Sequence, residues 1–505
     1  MKPTGWANVL SRRIEVWWLA VVLVLLLAFA LRMIGLAERP LWFDEAIEYR
    51  MAVTPLAQVY RAFTQSTHDP PMDSYLLHSW LRLGLDEFWL RIPSLIFSLL
   101  SVAGLLALGR FTSGRLVALT TGLLLAVAAA DIRYAQEVGQ YSMMVCLLTF
   151  SLLWLYKAQR NNQWRWWLLW SGVALISLYT HYGVVIFILA TAVAFLLYQV
   201  CRRQWTAVWR QVVSGGLAVL LTAPLVLVII PQQLGRLGAQ PQPFDLTRSL
   251  SISAQILEFQ FLTHYGMAVW PTAVFPLWPI ALLILIPIFV ALVRARSITA
   301  PAALLALTWL VYYLVGRTGA YFFAGTRHSL LLAPLIFLTL AVGIVYLSRW
   351  RWWGGASFLS AILLLTLLIP REAAEDLRTV RRYWLENQQP ADVTYVYYGA
   401  RPGLEYQLAL AQATGDCPQS TAGASCTPAG LHYGAWIRDK SPENMAVDVQ
   451  QVVGAWPERL WLIFSHIHDQ EDVKLIEALA PVYAVQASQA AEGALVVLLV
   501  RQDMP

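Results

Sequence analysis

About eleven apolar runs divide the first 370 residues, and they constrain the fold more than any other feature of the chain. They fall at 16–34, 92–109, 116–130, 140–156, 166–180, 183–200, 212–230, 272–293, 299–315, 329–347 and 354–370. Most have the length at which a helix crosses a bilayer core, although several are short. A chain in hydrocarbon must satisfy its own backbone polar groups, so the runs are expected to be helical. Hydrophobic residues make up 58% of the 505 residues and charged ones 13%, with a mean hydropathy of +0.56. A soluble domain is about half apolar. The composition therefore describes a polytopic membrane protein whose first partner is the lipid bilayer. Its formal net charge of +6 is no argument for a nucleic-acid partner.

The basic residues set the expected orientation. Arg12/Arg13, Arg110/Arg115, Lys157/Arg160/Arg165, Arg202/Arg203/Arg210, Arg294/Arg296 and Arg349/Arg351 occupy every second connection. Cytoplasmic loops collect Lys and Arg, which puts the N-terminus inside and residues 371–505 outside the cytoplasmic membrane. The run at 16–34 has a basic flank but no small-residue cleavage site, so it reads as a retained span. A transmembrane domain at 1–370, with a long first outer loop at 35–91, is followed by a separate extracytoplasmic domain. In that tail, helical patterns at 372–386, 404–411 and 472–479 alternate with strand patterns at 393–398, 460–464 and 494–500, as in a small α/β layer domain. Cys417 and Cys426 close a short Pro/Gly/Ser-rich loop there and suggest a disulfide, in keeping with an oxidising compartment. Cys146 and Cys201 lie in or beside the apolar runs.

Polar residues near the membrane concentrate in the outer loops. Asp44/Glu45, His68/Asp69, Asp131/Arg133/Glu137, His181 and Arg327/His328 all fall there. Ionisable groups beside a membrane are costly and mark function. A transporter is expected to place some of them at the bilayer midplane, on broken helices and within repeated halves. Here the mid-span regions look clean and no internal repeat is visible. A carboxylate beside an acceptor hydroxyl can act as general base. Arginines hold phosphate through charge-assisted, bidentate hydrogen bonds. A sugar joined to a polyprenyl phosphate suits both: its phosphate is already a good leaving group, so one base and positive charge suffice. A non-catalytic carrier or scaffold for lipid-linked saccharides is the rival reading.

Each residue also has a plainer reading. Asp44 can favour the start of an interfacial helix through the helix dipole. His68 can brace a surface helix within the amphipathic stretches at 46–63 and 74–85. His181, flanked by Tyr179 and Tyr182, reads as a hydrogen-bonded packing residue, with a metal or acceptor contact as the alternative. The loop Ser465–Asp469 sits at a strand end and reads as solvated rather than as a ligand site. Arg91 is expected to anchor a span end, and Trp164–Trp170 to form an interfacial belt.

Four stretches together resemble the GT-C-type glycosyltransferases, which include protein O-mannosyltransferases and the lipid A aminoarabinose transferase. Asp44-Glu45 after the first span is similar to that superfamily's first-loop acidic motif. His68-Asp69-Pro70-Pro71 is similar to its HPP-type motif, and Glu87 through Arg91, Pro93 and Ser94 to the pattern entering its second span. Arg133-Tyr134-Ala135-Gln136-Glu137 with Tyr141 is similar to its second-loop motif. The resemblance covers about the first 370 residues, and it implies an all-α membrane domain of GT-C type bearing an extracytoplasmic α/β tail. It implies an inverting transfer of a monosaccharide from a polyprenyl-phosphate donor to a protein, lipid or glycan acceptor. Asp44 is then the base and Glu45 its support. Arg133, Glu137, Tyr141, Arg327 and His328 are expected on the donor side, with His68, Asp69, His181 and Tyr182 contacting the acceptor or bracing loops. An oligosaccharide ligase of the same fold stays open. Some relatives use a divalent metal (Mg, Mn or Zn) and others none, and no ligand spacing here decides it. Gly139 stands where many members carry an arginine.

Overall fold

The computed structural model describes residues 5–65, 70–237, 240–262, 278–350, 375–416, 426–437 and 440–502. The chain forms two compact units. One comprises Met1–Ile34, Leu56–Leu76 and Arg91–Pro370; the other comprises Gly35–Pro55, Leu77–Leu90 and Arg371–Pro505.

The helices in chain order are α1 (Gly5–Met33), α2 (Phe43–Val53), α3 (Leu56–Gln65), α4 (Met72–Trp80), α5 (Glu87–Thr112), α6 (Arg115–Ala126), α7 (Ala129–Ala135) and α8 (Tyr141–Asn161). They continue with α9 (Trp164–Leu178), α10 (Val184–Cys201), α11 (Trp205–Pro224), α12 (Ile230–Leu237), α13 (Leu246–Leu262), α14 (Trp278–Val293), α15 (Pro301–Arg317) and α16 (Ala333–Trp350). Among the described residues, six helices are long and apolar enough to cross a membrane, or seven if the α6–α7 pair, bent by 59°, is one span. The chain is thus a multi-pass membrane protein. The first ten apolar runs are helical over their described parts, but α9, α14 and α15 are short, and the run at 354–370 lies outside the described residues.

Breaks in the helices have local causes. The amphipathic stretch expected at 46–63 is split into α2 and α3 because Pro55 disfavours helical geometry at Thr54, whose ψ is 144°. Pro224 ends α11, and a π-helical turn, Leu225–Ile229, follows it. Prolines and π-turns are the usual causes of helix kinks. Tyr179 donates its hydroxyl proton to the Leu221 carbonyl beside that break. The core of the membrane unit is built on α16, with Leu335, Ile336, Leu338 and Ala341 fully enclosed among α6, α8 and α15. Trp167 and Trp170 belong to this core, so the tryptophan patch at 164–170 is not simply an interfacial belt. Arg91, expected at a span end facing the interface, is only 1% exposed.

Arg32 was the one charge before the end of the first apolar run, and the structure shows why it is tolerated. Its guanidinium uses all five N–H groups. Nε donates to Ser98 Oγ at 2.6 Å; Nη1 donates to the carbonyls of Ala28 and Ala126, and Nη2 to that of Leu125 and to Asp131 Oδ2 at 2.5 Å. Leu125 and Ala126 close α6, where helix carbonyls lose their intrahelical partners. The cation therefore caps the bend between α6 and α7, and Ser98 donates its hydroxyl proton to the same Asp131 oxygen. Asp131, grouped with the functional outer cluster by sequence, is part of this buried structural contact.

The second unit contains a five-stranded sheet: β1 (Val393–Val396), β2 (Leu431–Tyr433), β3 (Arg459–Ser465), β4 (Tyr483–Ala491) and β5 (Ala494–Arg501). The order is β2-β1-β3-β5-β4, with the first three strands parallel and the last two antiparallel. Two faces follow from the strand period of two. Trp461, Ile463 and Val396 pack under α17 (Leu377–Asn387) and α18 (Arg401–Thr414). Leu460, Leu462 and Phe464 pack under α19 (Pro442–Val453) and α20 (Glu471–Leu479). The α/β layering expected from the tail's sequence is observed, with β2, β4 and α19 as additional elements. Cys426 is buried and disulfide-bonded, while Cys417 lies outside the described residues. Cys146 and Cys201 are free.

Candidate active site

Asp44 occupies the second position of α2, after Trp42 and Phe43, and is half-buried. An acid there is favoured by the unpaired N–H groups and dipole of the helix start. Glu45, one residue on, is only 2% exposed, and its carboxylate accepts the Trp42 N–H at 3.4 Å. This is half of a capping box, in which a carboxylate at the third helical position reaches back to the residue before the helix. Of the adjacent acids, Glu45 is engaged in starting its own helix. The two expected residues His68 and Asp69 lie outside the described residues.

In the membrane unit, four of the expected residues come together. The Arg327 guanidinium stands 5.5 Å over the Tyr141 ring. Tyr141 lies 5.5 Å from the His181 ring, and His181 lies 6.3 Å from His328. Arg133, near the end of α7, and Glu137, four residues on, pair with each other at 3.6 Å. Arg133 also lies over Tyr134, 5.6 Å from its ring centre, and Tyr134 lies 5.1 Å from Tyr141. Two arginines thus flank a pair of tyrosines whose rings are tilted by 57° to one another.

His181 is 2% exposed and accepts the Gly183 N–H on Nδ1 at 3.1 Å, which leaves Nε2 as the protonated, donating nitrogen. Burial and then the nearby Arg327 charge push its pKa down to about 4, so at neutral pH it is an uncharged donor. Tyr321, which sequence reasoning left unassigned, lies against both histidines, 6.0 Å from His181 and 5.5 Å from His328. Gly183 makes room for it: a Cβ at that position would stand 2.3 Å from the Tyr321 hydroxyl. A cavity of about 680 Å³ opens beside these rings and is lined by His181, Tyr182, His328, Arg248, Arg317 and Tyr313. It is large enough for a sugar-sized ligand, and two cations border it. Glu258 on α13, a helix that packs on α7, is buried, and burial pushes its pKa up to about 7.

Gly139, the departure from the motif, has φ +156°, a conformation that side-chain-bearing residues rarely adopt, and its carbonyl accepts from Ser94 Oγ at 3.4 Å. The glycine is thus built into the backbone path between α7 and α8. Among the described residues no three His, Cys, Asp or Glu side chains converge as a metal-holding group.

A bundle of membrane helices with a small mixed α/β unit is the arrangement expected of a GT-C-type fold. The comparisons agree. Residues 68–228 match the family model described as dolichyl-phosphate-mannose-protein mannosyltransferase. The whole chain is similar to ArnT from Cupriavidus metallidurans in its apo state, with a TM-score of 0.57 and 14% identity over 95% of this chain and 97% of that one. The same protein bound to undecaprenyl phosphate gives a TM-score of 0.54 at 14% identity, with the same coverage. The archaeal oligosaccharyltransferase AglB from Archaeoglobus fulgidus, in complex with an inhibitory peptide and a dolichol-phosphate, gives 0.53 at 10% identity over 98% of this chain and 75% of that one. At such identities the likeness is one of fold. No curated protein matches the chain in sequence. The GT-C resemblance drawn from the motifs is borne out.

Proposed function

We propose that the chain is a membrane glycosyltransferase that moves a monosaccharide from a polyprenyl-phosphate donor to an acceptor at the outer face of the cytoplasmic membrane. The observation that carries this reading is the likeness, over nearly the full length of both chains, to ArnT, a protein also seen with undecaprenyl phosphate. In this reading Asp44 takes the proton from the acceptor hydroxyl as its oxygen attacks the anomeric carbon. The bond from that carbon to the phosphate oxygen breaks, and the phosphate leaves with the electron pair. A single displacement inverts the anomeric centre. Arg327 and Arg133 stabilise the charge on the departing phosphate, a task suited to guanidinium groups fixed before the reaction. Neutral His181 offers a hydrogen bond without adding charge.

The test is transfer of labelled sugar from polyprenyl-phosphate donors extracted from membranes, with wild type and Arg327→Ala. Turnover by wild type, with weaker donor binding and slower transfer in the variant, is expected. Donor binding without transfer by wild type under every acceptor fraction tried would favour a carrier.

A further inference from the structure

The parallel part of the tail sheet contains a feature that α/β domains ordinarily use to bind ligands. From β1 the chain leaves through α18, on one face of the sheet, to reach β2. From β3 it leaves through α20, on the other face, to reach β4. Adjacent parallel strands whose connections diverge in this way open a crevice at their carboxyl ends, the usual ligand position in open α/β sheets. Here the rim of the crevice is formed by Ser465 at the end of β3, His466 directly after it and Gly399 shortly after β1. A Cβ at Gly399 would stand 2.7 Å from the Ser465 carbonyl oxygen.

The chain itself engages this rim. Phe43, the first residue of α2, stacks on His466 with ring centroids 4.2 Å apart and planes 7° from parallel. The Phe43 N–H donates to Glu375 Oε2 at 2.9 Å, while Glu375 Oε1 pairs with His466 Nδ1 at 2.8 Å. Ser465 Oγ donates to the same carboxylate at 3.4 Å. The loop is held in an unusual shape, with His466, Asp469 and Gln470 at φ of 52°, 48° and 58°. Non-glycine residues persist there only where their surroundings impose it. Further along α2, Tyr49 packs edge-on against Tyr406 of α18, and Arg50 reaches Glu405 at 3.4 Å. The helix that carries Asp44 is therefore gripped at its first residue and along its flank by the tail. The loop Ser465–Asp469, read from sequence as solvated, is half-buried in this contact at His466.

We propose that Glu375 and His466 are positioning residues that clamp the start of α2 and thereby aim the Asp44 carboxylate. The tail is in this sense a part of the catalytic apparatus rather than an appended module. The inference rests on Asp44 being the base. A shift of about an ångström in a reacting group can cost on the order of 100-fold in rate.

The test uses the full-length protein in lipid nanodiscs with membrane-extracted polyprenyl-phosphate sugar as donor. Phe43→Ala and His466→Ala should each lower kcat about 10- to 100-fold, with donor KM and thermal midpoint near wild type. The double variant should be no worse than either single one, because both remove the same contact. His466→Phe, which keeps the ring stack, should recover part of the rate, and His466→Gln replaces the alanine variant if that variant does not fold. Asp44→Asn is measured in parallel. If it is inactive while Phe43→Ala and His466→Ala turn over like wild type, the clamp is overturned and the base stands. If Asp44→Asn is fully active, the base reading fails and the clamp loses its object. Additive losses that track a falling thermal midpoint would show a structural role and also overturn the proposal.

Discussion

Arg32–Asp131 in the membrane unit and Glu375–His466 in the tail both tie a helix end to a distant part of the chain, with opposite chemistry. The first pair is almost fully enclosed, at 0% and 5% side-chain exposure. Every N–H group of its guanidinium is used. The second is more open, at 23% and 15%, and the nitrogen partner of its carboxylate is an imidazole. A buried pair with every hydrogen bond made is costly to disturb, because loss of one member strands the other. A more open pair contributes little stability. What the half-open pair can contribute is geometry, by holding Phe43 and so the residue after it. Asp131, the buried acid nearest the motif residues, is thus held in a structural pair, whereas the proposed clamp on α2 relies on the weaker contact.

The largest effect is expected at Arg32. Arg32→Met leaves Asp131 buried without its cation and should cost about 3–5 kcal/mol, seen as loss of monodisperse protein or a large fall in thermal midpoint. Adding Asp131→Asn should restore part of that loss. Near-wild-type stability of the single variant would remove the structural role assigned to the pair. His466→Ala, by contrast, should cost about 1 kcal/mol or less in a melt while slowing turnover. Gly139→Arg, which restores the arginine of many GT-C motifs, should cost about 1–2 kcal/mol of backbone strain and not raise activity. A gain in donor affinity would contradict this.

The smallest effects are those of pH. Glu258, with its pKa raised from 4.5 to about 7, keeps its proton in the folded chain where the unfolded chain has lost it. Its contribution to stability is complete below about 4.5 and is lost as pH rises through 7. His181, lowered from 6.5 to about 4, acts in the other direction: its contribution is present above 6.5 and is lost as pH falls through 4. Melting points measured from pH 4 to 8 should lose, in Glu258→Gln, a component that falls between about pH 4.5 and 7, and, in His181→Phe, one that rises between about pH 4 and 6.5. Unchanged slopes in both would refute these assignments.

Much of this was legible in the sequence, for physical reasons. Apolar runs report bilayer helices because the solvent leaves few other solutions. Asp44 was visible because two adjacent acids directly after a span are costly and therefore conspicuous. The tail's layers were visible in β3 and β5, whose apolar runs sit at the centre of the sheet. The edge strands β2 and β4 were not: β2 has three residues, and β4 carries Gln486 and Ser488 at exposed positions and Gln489 at a half-buried one. Arg32 looked like a lone charge because its partner lies 99 residues away. The contact of Phe43 with Glu375 spans 332 residues, and no local pattern announces it. Tyr321 lay in a loop of aromatic residues, and only the fold singles it out.

The role of Asp44 as base of the proposed glycosyl transfer is tested by single-turnover transfer from a labelled polyprenyl-phosphate sugar, with wild type and Asp44→Asn compared and donor binding measured on the same preparations. The substitution keeps the size of the side chain and most of its hydrogen bonding. Intact donor binding with transfer reduced by about 100-fold or more is the predicted result. Equal turnover by the two proteins would contradict it and move the search for the base to Glu137 or Glu258.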